Sequence, residues 1–195
     1  MPNFLNVFVL GTGRCGTLSF ISGCKFITNF TAGHETRTSL LGRERLNYPK
    51  YHIEADNRLS WFLGKLEKVF GKEAFYVHLL RNRDEVSRSY AKRLFPGGIM
   101  KSYADGVLMP RQYPRQAAKD PLGIAYDLVD TVNSNIEMFL KDKPYQMTVH
   151  IESVGKQFPE FFERIGAKGD LRAALKDLET PKNTSQMKSG SGGSE

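Results

Sequence analysis

The amino-acid sequence predicts an α/β protein of three layers: a central parallel sheet of about five strands with helices on both faces. Two observations predict it. Short apolar runs alternate along the chain with segments whose apolar residues recur at helical spacing. The first run, ending at Leu10, opens into "GTGRCGT", a glycine-rich turn that leads into a helical stripe. Repeated strand–turn–helix units of this kind lay their strands in parallel, and their ligands bind at the C-terminal strand ends.

The elements follow in order. Strands are predicted at Phe4–Leu10, Phe30–Gly33, Tyr51–Ala55, Ala74–Leu80 and Tyr145–Ile151. Leu18, Ile21, Cys24 and Ile27 make the first helical stripe; Leu59, Phe62, Leu63, Leu66 and Phe70 make the second, stopped by Gly71. Asp84 is placed to cap a helix running toward Leu94. Ile124, Leu128, Val132, Ile136 and Phe139 or Leu140 form the longest stripe, ended near Lys143 and Pro144. Short helices are expected over Phe158–Ile165 and Leu171–Leu178, the second capped by Asp170. Residues 95–120 break the pattern with Pro96, Gly97, Gly98, Pro110 and Pro114. So long a stretch reads either as a lid or acceptor loop or as a surface insertion. The end, "KSGSGGSE", is of low complexity. One domain over 1–180 and a polar, disordered tail over 181–195 are therefore expected.

Composition bounds the function. The chain has 195 residues, enough for one domain with a proper core, and 40% hydrophobic against 25% charged residues suits a soluble globular protein. No stretch approaches the ~18 apolar residues of a membrane span. The opening apolar run is short and lacks a basic leader, so no secretory signal is expected and the location read is cytoplasmic. A net charge of +7 suits nucleic acid, an anionic surface or a multiply charged small anion. Several arginines sit beside strand ends rather than in one solvated run. If Cys15 and Cys24 share the first helix, roughly 13 Å separates them, at about 1.5 Å per residue. They should not pair, because a disulfide needs Cα atoms within about 7 Å. Cys24 reads as core, and Cys15 lies in the glycine-rich turn.

Gly11, Gly13 and Gly16 allow a tight turn whose backbone N–H groups converge on an anion at a helix N-terminus. A nucleoside-triphosphate loop reads G-x-x-x-x-G-K-S/T, and here Thr17 stands where its lysine belongs. A second anion site is suggested by "RNRDEVSRSYAKR". Arg81 follows a strand end, while Ser89 and Arg93 are four apart and share a helix face. Two guanidinium forks and a hydroxyl can grip one phosphate; the alternative is a solvated basic helix balanced by Asp84 and Glu85. In "HIEADNRLSW", Glu54, Asp56 and Asn57 end a strand at the same edge. They suit acceptor contacts or, more simply, a helix cap with Trp61 packed behind it.

These motifs resemble those of the P-loop sulfotransferases, enzymes that use 3′-phosphoadenosine-5′-phosphosulfate (PAPS). Their 5′-phosphosulfate loop is similar to "GTGRCGT", and their 3′-phosphate motif has an arginine at a strand end and a serine eight residues later, as in "RNRDEVSRS". "AGHETR" resembles a "GEETR" segment of the tyrosylprotein sulfotransferases, and small bacterial members share the late "VHIES" strand. The resemblance implies a P-loop-type fold and sulfuryl transfer from PAPS to a hydroxyl or amine, in line and without metal. It implies nucleotide contacts from Gly13, Arg14, Cys15, Gly16, Thr17, Leu18, Arg81, Ser89 and Arg93. It makes Arg14 the cation at the leaving oxygen and Glu35 the catalytic base, with His34 and Arg37 at the acceptor. Arg14 replaces a lysine common in cytosolic members, and Leu18 replaces a threonine. His34 is a rival base, and Glu35 has an alternative reading as a surface carboxylate paired with Arg37. The acceptor expected is a small molecule, glycan or peptide, not nucleic acid. Three other readings stay open: a small-molecule kinase, a nucleic-acid binder, and a sulfotransferase relative that binds nucleotide without turnover.

Overall fold

The computed structural model describes residues 4–108 and 120–180. Five strands form one parallel sheet: β1 (Asn6–Leu10), β2 (Thr31–His34), β3 (His52–Ala55), β4 (Ala74–Leu80) and β5 (Gln146–His150). Each lies within a residue or two of the apolar run that predicts it. Their order is β2-β3-β1-β4-β5, so β1 is central and β2 is an edge. Val7 stands beside Ile53 on one side and Phe75 on the other. Because every pair is parallel, all five C-terminal ends open on one edge of the sheet.

The helices are α1 (Thr17–Cys24), α2 (Leu63–Val69), α3 (Arg83–Ala91), α4 (Ile99–Ser102), α5 (Pro121–Leu140), α6 (Val154–Arg164) and α7 (Leu171–Leu178). The period-two alternation of the strands divides the core between the two faces. Val7, Val9, Phe75 and Val77 pack with Phe20 of α1, Phe158 and Phe161 of α6, and Ala174 of α7. Phe8, Leu10 and Tyr76 pack on the opposite face with Leu66 of α2 and Val132, Ile136 and Leu140 of α5. The central strand is thus apolar on both faces, as a covered parallel sheet requires. Val86 and Tyr90 of α3 pack against Leu128 and Val129 of α5. Cys15 and Cys24 are both buried and unpaired.

Four local expectations are corrected. The predicted helix over residues 59–70 is broken: a 3₁₀ turn, Asn57–Trp61, precedes α2. Asp56 starts that turn by accepting the Arg58 amide at 2.8 Å. Trp61 does not pack as core; it is 40% exposed. The cap of α3 is Asn82, whose Oδ1 accepts the Glu85 amide at 3.1 Å, while Asp84 occupies the first turn. The 95–120 stretch is partly helical. In it α4 runs into a π-helical turn, Tyr103–Val107, and Met100, Tyr103 and Ala104 are buried with Ile124 and Leu128 of α5. Residues 109–119 of that stretch and the 181–195 tail lie outside the described residues. Asp170 caps α7 as predicted, accepting the Ala173 amide at 2.9 Å.

Phe20 ties α1, and with it the glycine-rich turn, to α6. Its ring centroid lies 5.6 Å from that of Phe158 and 4.9 Å from that of Phe161. Phe20→Ala should lower unfolding free energy by about 3–5 kcal/mol in urea titration. Leu18→Ala, two residues earlier on the exposed side of the same helix, should change it by less than about 0.5 kcal/mol.

Candidate active site at the C-terminal edge of the sheet

β1 ends at Leu10 and the chain enters the glycine-rich turn. Gly13, Arg14 and Gly16 all have positive φ, at 79°, 58° and 95°. Successive residues bent this way curl the backbone so that its N–H groups face a common hollow. Helix α1 then begins at Thr17 with no side-chain cap on its N-terminus, so its first amide groups open on that hollow. Neighbours brace the turn from behind. Ser60 Oγ donates to the Gly11 carbonyl at 3.0 Å, and the Tyr90 hydroxyl donates to the Thr12 carbonyl. Gly13 is packed as well as bent: a Cβ there would sit 2.5 Å from the Tyr90 hydroxyl and 2.7 Å from Asn57 Nδ2. The Cys15 thiol is fully buried, and burial pushes its pKa up to about 11. It is inert as a nucleophile.

Sequence spacing places Arg81, Ser89 and Arg93 together, the last two on one helix face. In the structure α3 ends at Ala91, so Arg93 lies in the turn beyond it, while Arg81 and Ser89 both contact Arg14 at the mouth of the glycine-rich turn. Arg14 Nε donates to Ser89 Oγ at 3.2 Å. Arg81 Nη1 donates to the Arg14 carbonyl at 3.3 Å, and its other nitrogens hold Glu85 at 2.6 and 2.9 Å. Burial lowers the pKa of the Arg14 guanidinium, and the nearby Arg93 and Arg81 lower it further. Three guanidinium groups therefore share one field at the mouth of the glycine-rich turn. The two segments that the sequence suggests as separate anion sites are contiguous, with Arg14 in contact with both.

A carboxylate faces this cluster from β2. His34, the last residue of the strand, places Nε2 3.0 Å from Thr17 Oγ1. Glu35 follows with φ 53°. Its carboxylate accepts from Arg58 Nη1 at 2.7 Å and from Asn57 Nδ2 at 3.2 Å. The same Asn57 amide lies over Gly13, so one side chain separates Glu35 from the anion turn. Arg37 is not brought to Glu35. It donates to the Glu44 carbonyl at 3.0 Å and lies over the Tyr48 ring. The Glu35–Arg37 pair of the alternative reading does not form; Glu35 pairs with Arg58 instead. The Leu18 side chain is exposed. With Ile21, Ser22, Lys25 and His34 it lines a cavity of about 500 Å³ beside β2.

His52, Glu54 and Asp56 emerge on one face of β3 and its end, and they are buried. Glu54 accepts from the Thr36 amide and hydroxyl, both at 2.7 Å, and from His52 Nε2 at 2.9 Å. Asp56 is ion-paired with the buried Arg45. Neither carboxylate is open to an acceptor, so the cap reading of this segment holds for Asp56. Asn57 does reach the site. Arg58, Ser60 and Tyr90 are the residues that sequence reasoning did not assign; Asn57, read there as an acceptor contact or a helix cap, lies instead between Glu35 and Gly13. Asn57 and Ser60 recur at the three-residue period of a 3₁₀ turn, the one signal that could have placed both against the glycine-rich turn.

No family model matches this chain, and no curated protein does. Among solved structures it is similar to a sulfotransferase domain from the curacin biosynthetic pathway. That alignment covers 93% of this chain and 79% of the other at 12% identity, with a TM-score of 0.61. A mouse sulfotransferase, SULT7A1, solved with PAP, aligns over 92% of this chain and 65% of its own, at 12% identity and a TM-score of 0.48. Matched by the curacin domain over nearly its whole length, the five-stranded parallel sheet with helices on both faces gives this chain the P-loop-type α/β fold of the sulfotransferases.

Proposed function

We propose that the protein moves a sulfuryl group from PAPS to a hydroxyl or amine of an acceptor molecule. The observation that carries this reading is the convergence of Arg14, Arg81, Arg93 and Ser89 on the mouth of an anion-binding turn that lacks the nucleoside-triphosphate lysine. Guanidinium groups held this close favour an anion among them, and a ligand with two separated anionic ends fits contiguous sites better than a single phosphate does. The turn is also shaped for backbone contact, since Gly13 leaves no room for a Cβ. In this reading the backbone of residues 13–18 and the Thr17 hydroxyl take the 5′ end, and Arg81, Ser89 and Arg93 take the 3′-phosphate.

PAPS supplies the activated sulfuryl group. The protein's part is positioning and electrostatics, as in phosphoryl transfer. Arg14 stays protonated and acts as a fixed cation where charge develops on the leaving oxygen. Glu35 takes the proton of the attacking hydroxyl. Asn57 Nδ2, between Glu35 and Gly13, holds the carboxylate toward the reacting centre. His34 is turned to Thr17 and has a structural partner, which favours Glu35 as the base. Charge compensation and backbone donors suffice for this chemistry, and the reading calls for no metal.

Calorimetric titration with PAP (3′,5′-adenosine bisphosphate) in metal-free buffer tests the nucleotide site. The parent should bind PAP and discriminate against AMP, while Arg81→Ala and Ser89→Ala should each weaken PAP by about 10- to 100-fold, the cost of losing a bond to a charged group. Binding of ATP that depends on Mg²⁺ in preference to PAP would support the kinase reading instead. Glu35→Gln should bind PAP as the parent does. Once an acceptor is found in a screen of hydroxyl compounds, it should slow turnover by about 10²- to 10⁴-fold. A Glu35→Gln enzyme of parental kcat would remove Glu35 from the reaction.

A further inference from the structure

We propose that Glu54 is a positioning residue: its buried carboxylate grips the amide and hydroxyl of Thr36 and so fixes Glu35 in the turn that aims its carboxylate at Asn57 and the anion-binding turn. This rests on the reading of Glu35 as the base. Glu35 adopts a left-handed φ of 53°, a conformation that a side chain with a Cβ resists. Such a residue persists when its surroundings over-determine it, and here they do. The Glu35 amide donates to the Ala55 carbonyl at 3.0 Å, and the Thr38 hydroxyl donates to the Glu35 carbonyl at 3.2 Å. Between these, Thr36 is held twice by Glu54, once through each carboxylate oxygen.

Glu54 is itself held in place. It is wholly buried, and burial pushes its carboxyl pKa up, but hydrogen bonds from His52 and Thr36 more than offset this, so it lies below the ordinary value. An ionised Glu54 only accepts, so His52 Nε2 carries the proton and donates. His52 Nδ1 is fixed in turn by the Thr31 hydroxyl at 2.7 Å, and its ring stacks on Tyr48 with centroids 5.6 Å apart. Gly33 completes the arrangement: a Cβ there would overlap the Thr36 methyl and stand 3.0 Å from Glu54 Oε2. A side chain at that position would push Thr36 off the carboxylate. A chain of four side chains, Thr31–His52–Glu54–Thr36, thus runs beneath the site and ends one residue from the proposed base. None of the four reaches Asn57 or the anion-binding turn through a hydrogen bond of its own, so their effect on the site passes through Glu35.

The test labels glutamate side-chain carboxyls with ¹³C and assigns Glu35 by the loss of its resonance in Glu35→Gln. In the parent, saturation with PAP should move the Glu35 resonance. In Glu54→Gln and in Thr36→Ala that movement should fall by about half or more, while PAP affinity stays within about twofold. Thr36→Ser, which keeps the hydroxyl, should restore it. Thr36 is exposed, so Thr36→Ala folds even if Glu54→Gln does not. A full Glu35 response in Thr36→Ala and Glu54→Gln would overturn the positioning role. A loss of PAP affinity parallel to the loss of response would overturn it too, because that marks general loosening. A parent that binds PAP with no Glu35 response overturns the assignment of the base, and a parent that does not bind PAP overturns the nucleotide reading; either removes this proposal with it.

Discussion

The edge of the sheet is organised by two carboxylates that water does not reach. Glu54 and Asp56 lie two residues apart along β3 and its end, so their side chains emerge on the same face, and both are fully buried. A buried carboxylate left unpaired costs several kcal/mol, so the chain around each must bend until it is hydrogen-bonded. Those bends are the site. Satisfying Glu54 draws in Thr36 and His52 and sets the turn at Glu35. Satisfying Asp56 draws in Arg45 and the Arg58 amide and starts the 3₁₀ turn that presents Asn57 and Arg58. Two adjacent acids thus fix both partners of the Glu35–Arg58 contact from beneath.

Opposite them the electrostatics have the other sign. Arg14 lies at a left-handed backbone position, is half-buried, and feels Arg93 and Arg81. Such a cluster is unfavourable on its own terms, and the fold retains it because packing holds each part separately. Tyr90 and Ser89 are adjacent on α3: one braces the Thr12 carbonyl from below, the other accepts from Arg14 above. One helix therefore both stiffens the turn and holds the Arg14 side chain at its mouth. Glu85, on that helix, pairs with Arg81 across one turn, with both groups well exposed. An exposed pair of this kind is worth at most about 1 kcal/mol, so it offers little resistance to an anion that needs the guanidinium.

What the sequence made legible divides along the range of the forces involved. The five strands and most helices are local in origin: apolar runs, helical stripes and caps such as Asp170 announce themselves within a few residues. The glycine-rich turn is equally local, because Gly13 and Gly16 can be read as backbone requirements. Arg81 and Ser89 could be placed together since a strand end supplies the first and the helix after it the second; Arg93, read as one helix period beyond Ser89, lies in the turn that follows the end of α3 at Ala91. The other half of the site is tertiary. Glu35 was visible, but its partner was not, because Arg58 lies more than twenty residues away and a closer arginine, Arg37, was the natural guess. Nothing in the local pattern reports the left-handed turn at Glu35, which exists to satisfy a carboxylate on the neighbouring strand. The break between Trp61 and Leu63 has the same origin: helical periodicity ran through Leu59 and Phe62, and the tie from Asp56 to Arg58 overrode it.

The contrast between the two ends of Glu35 bears on how a base can work there. Its backbone is fixed by bonds to Ala55 and, through Thr36, to the interior. Among the described residues its carboxylate meets Arg58 and Asn57, and the Arg58 side chain is 53% exposed. Screening by water leaves such a pair worth little, so an incoming hydroxyl can take the place of one donor at small cost while the carboxylate itself stays aimed. A buried pair at the same position would hold the geometry equally well and lock the base against exchange. With Glu35 as the proposed base, the arrangement concentrates rigidity in the backbone, where direction is set, and leaves the carboxylate's partners exchangeable.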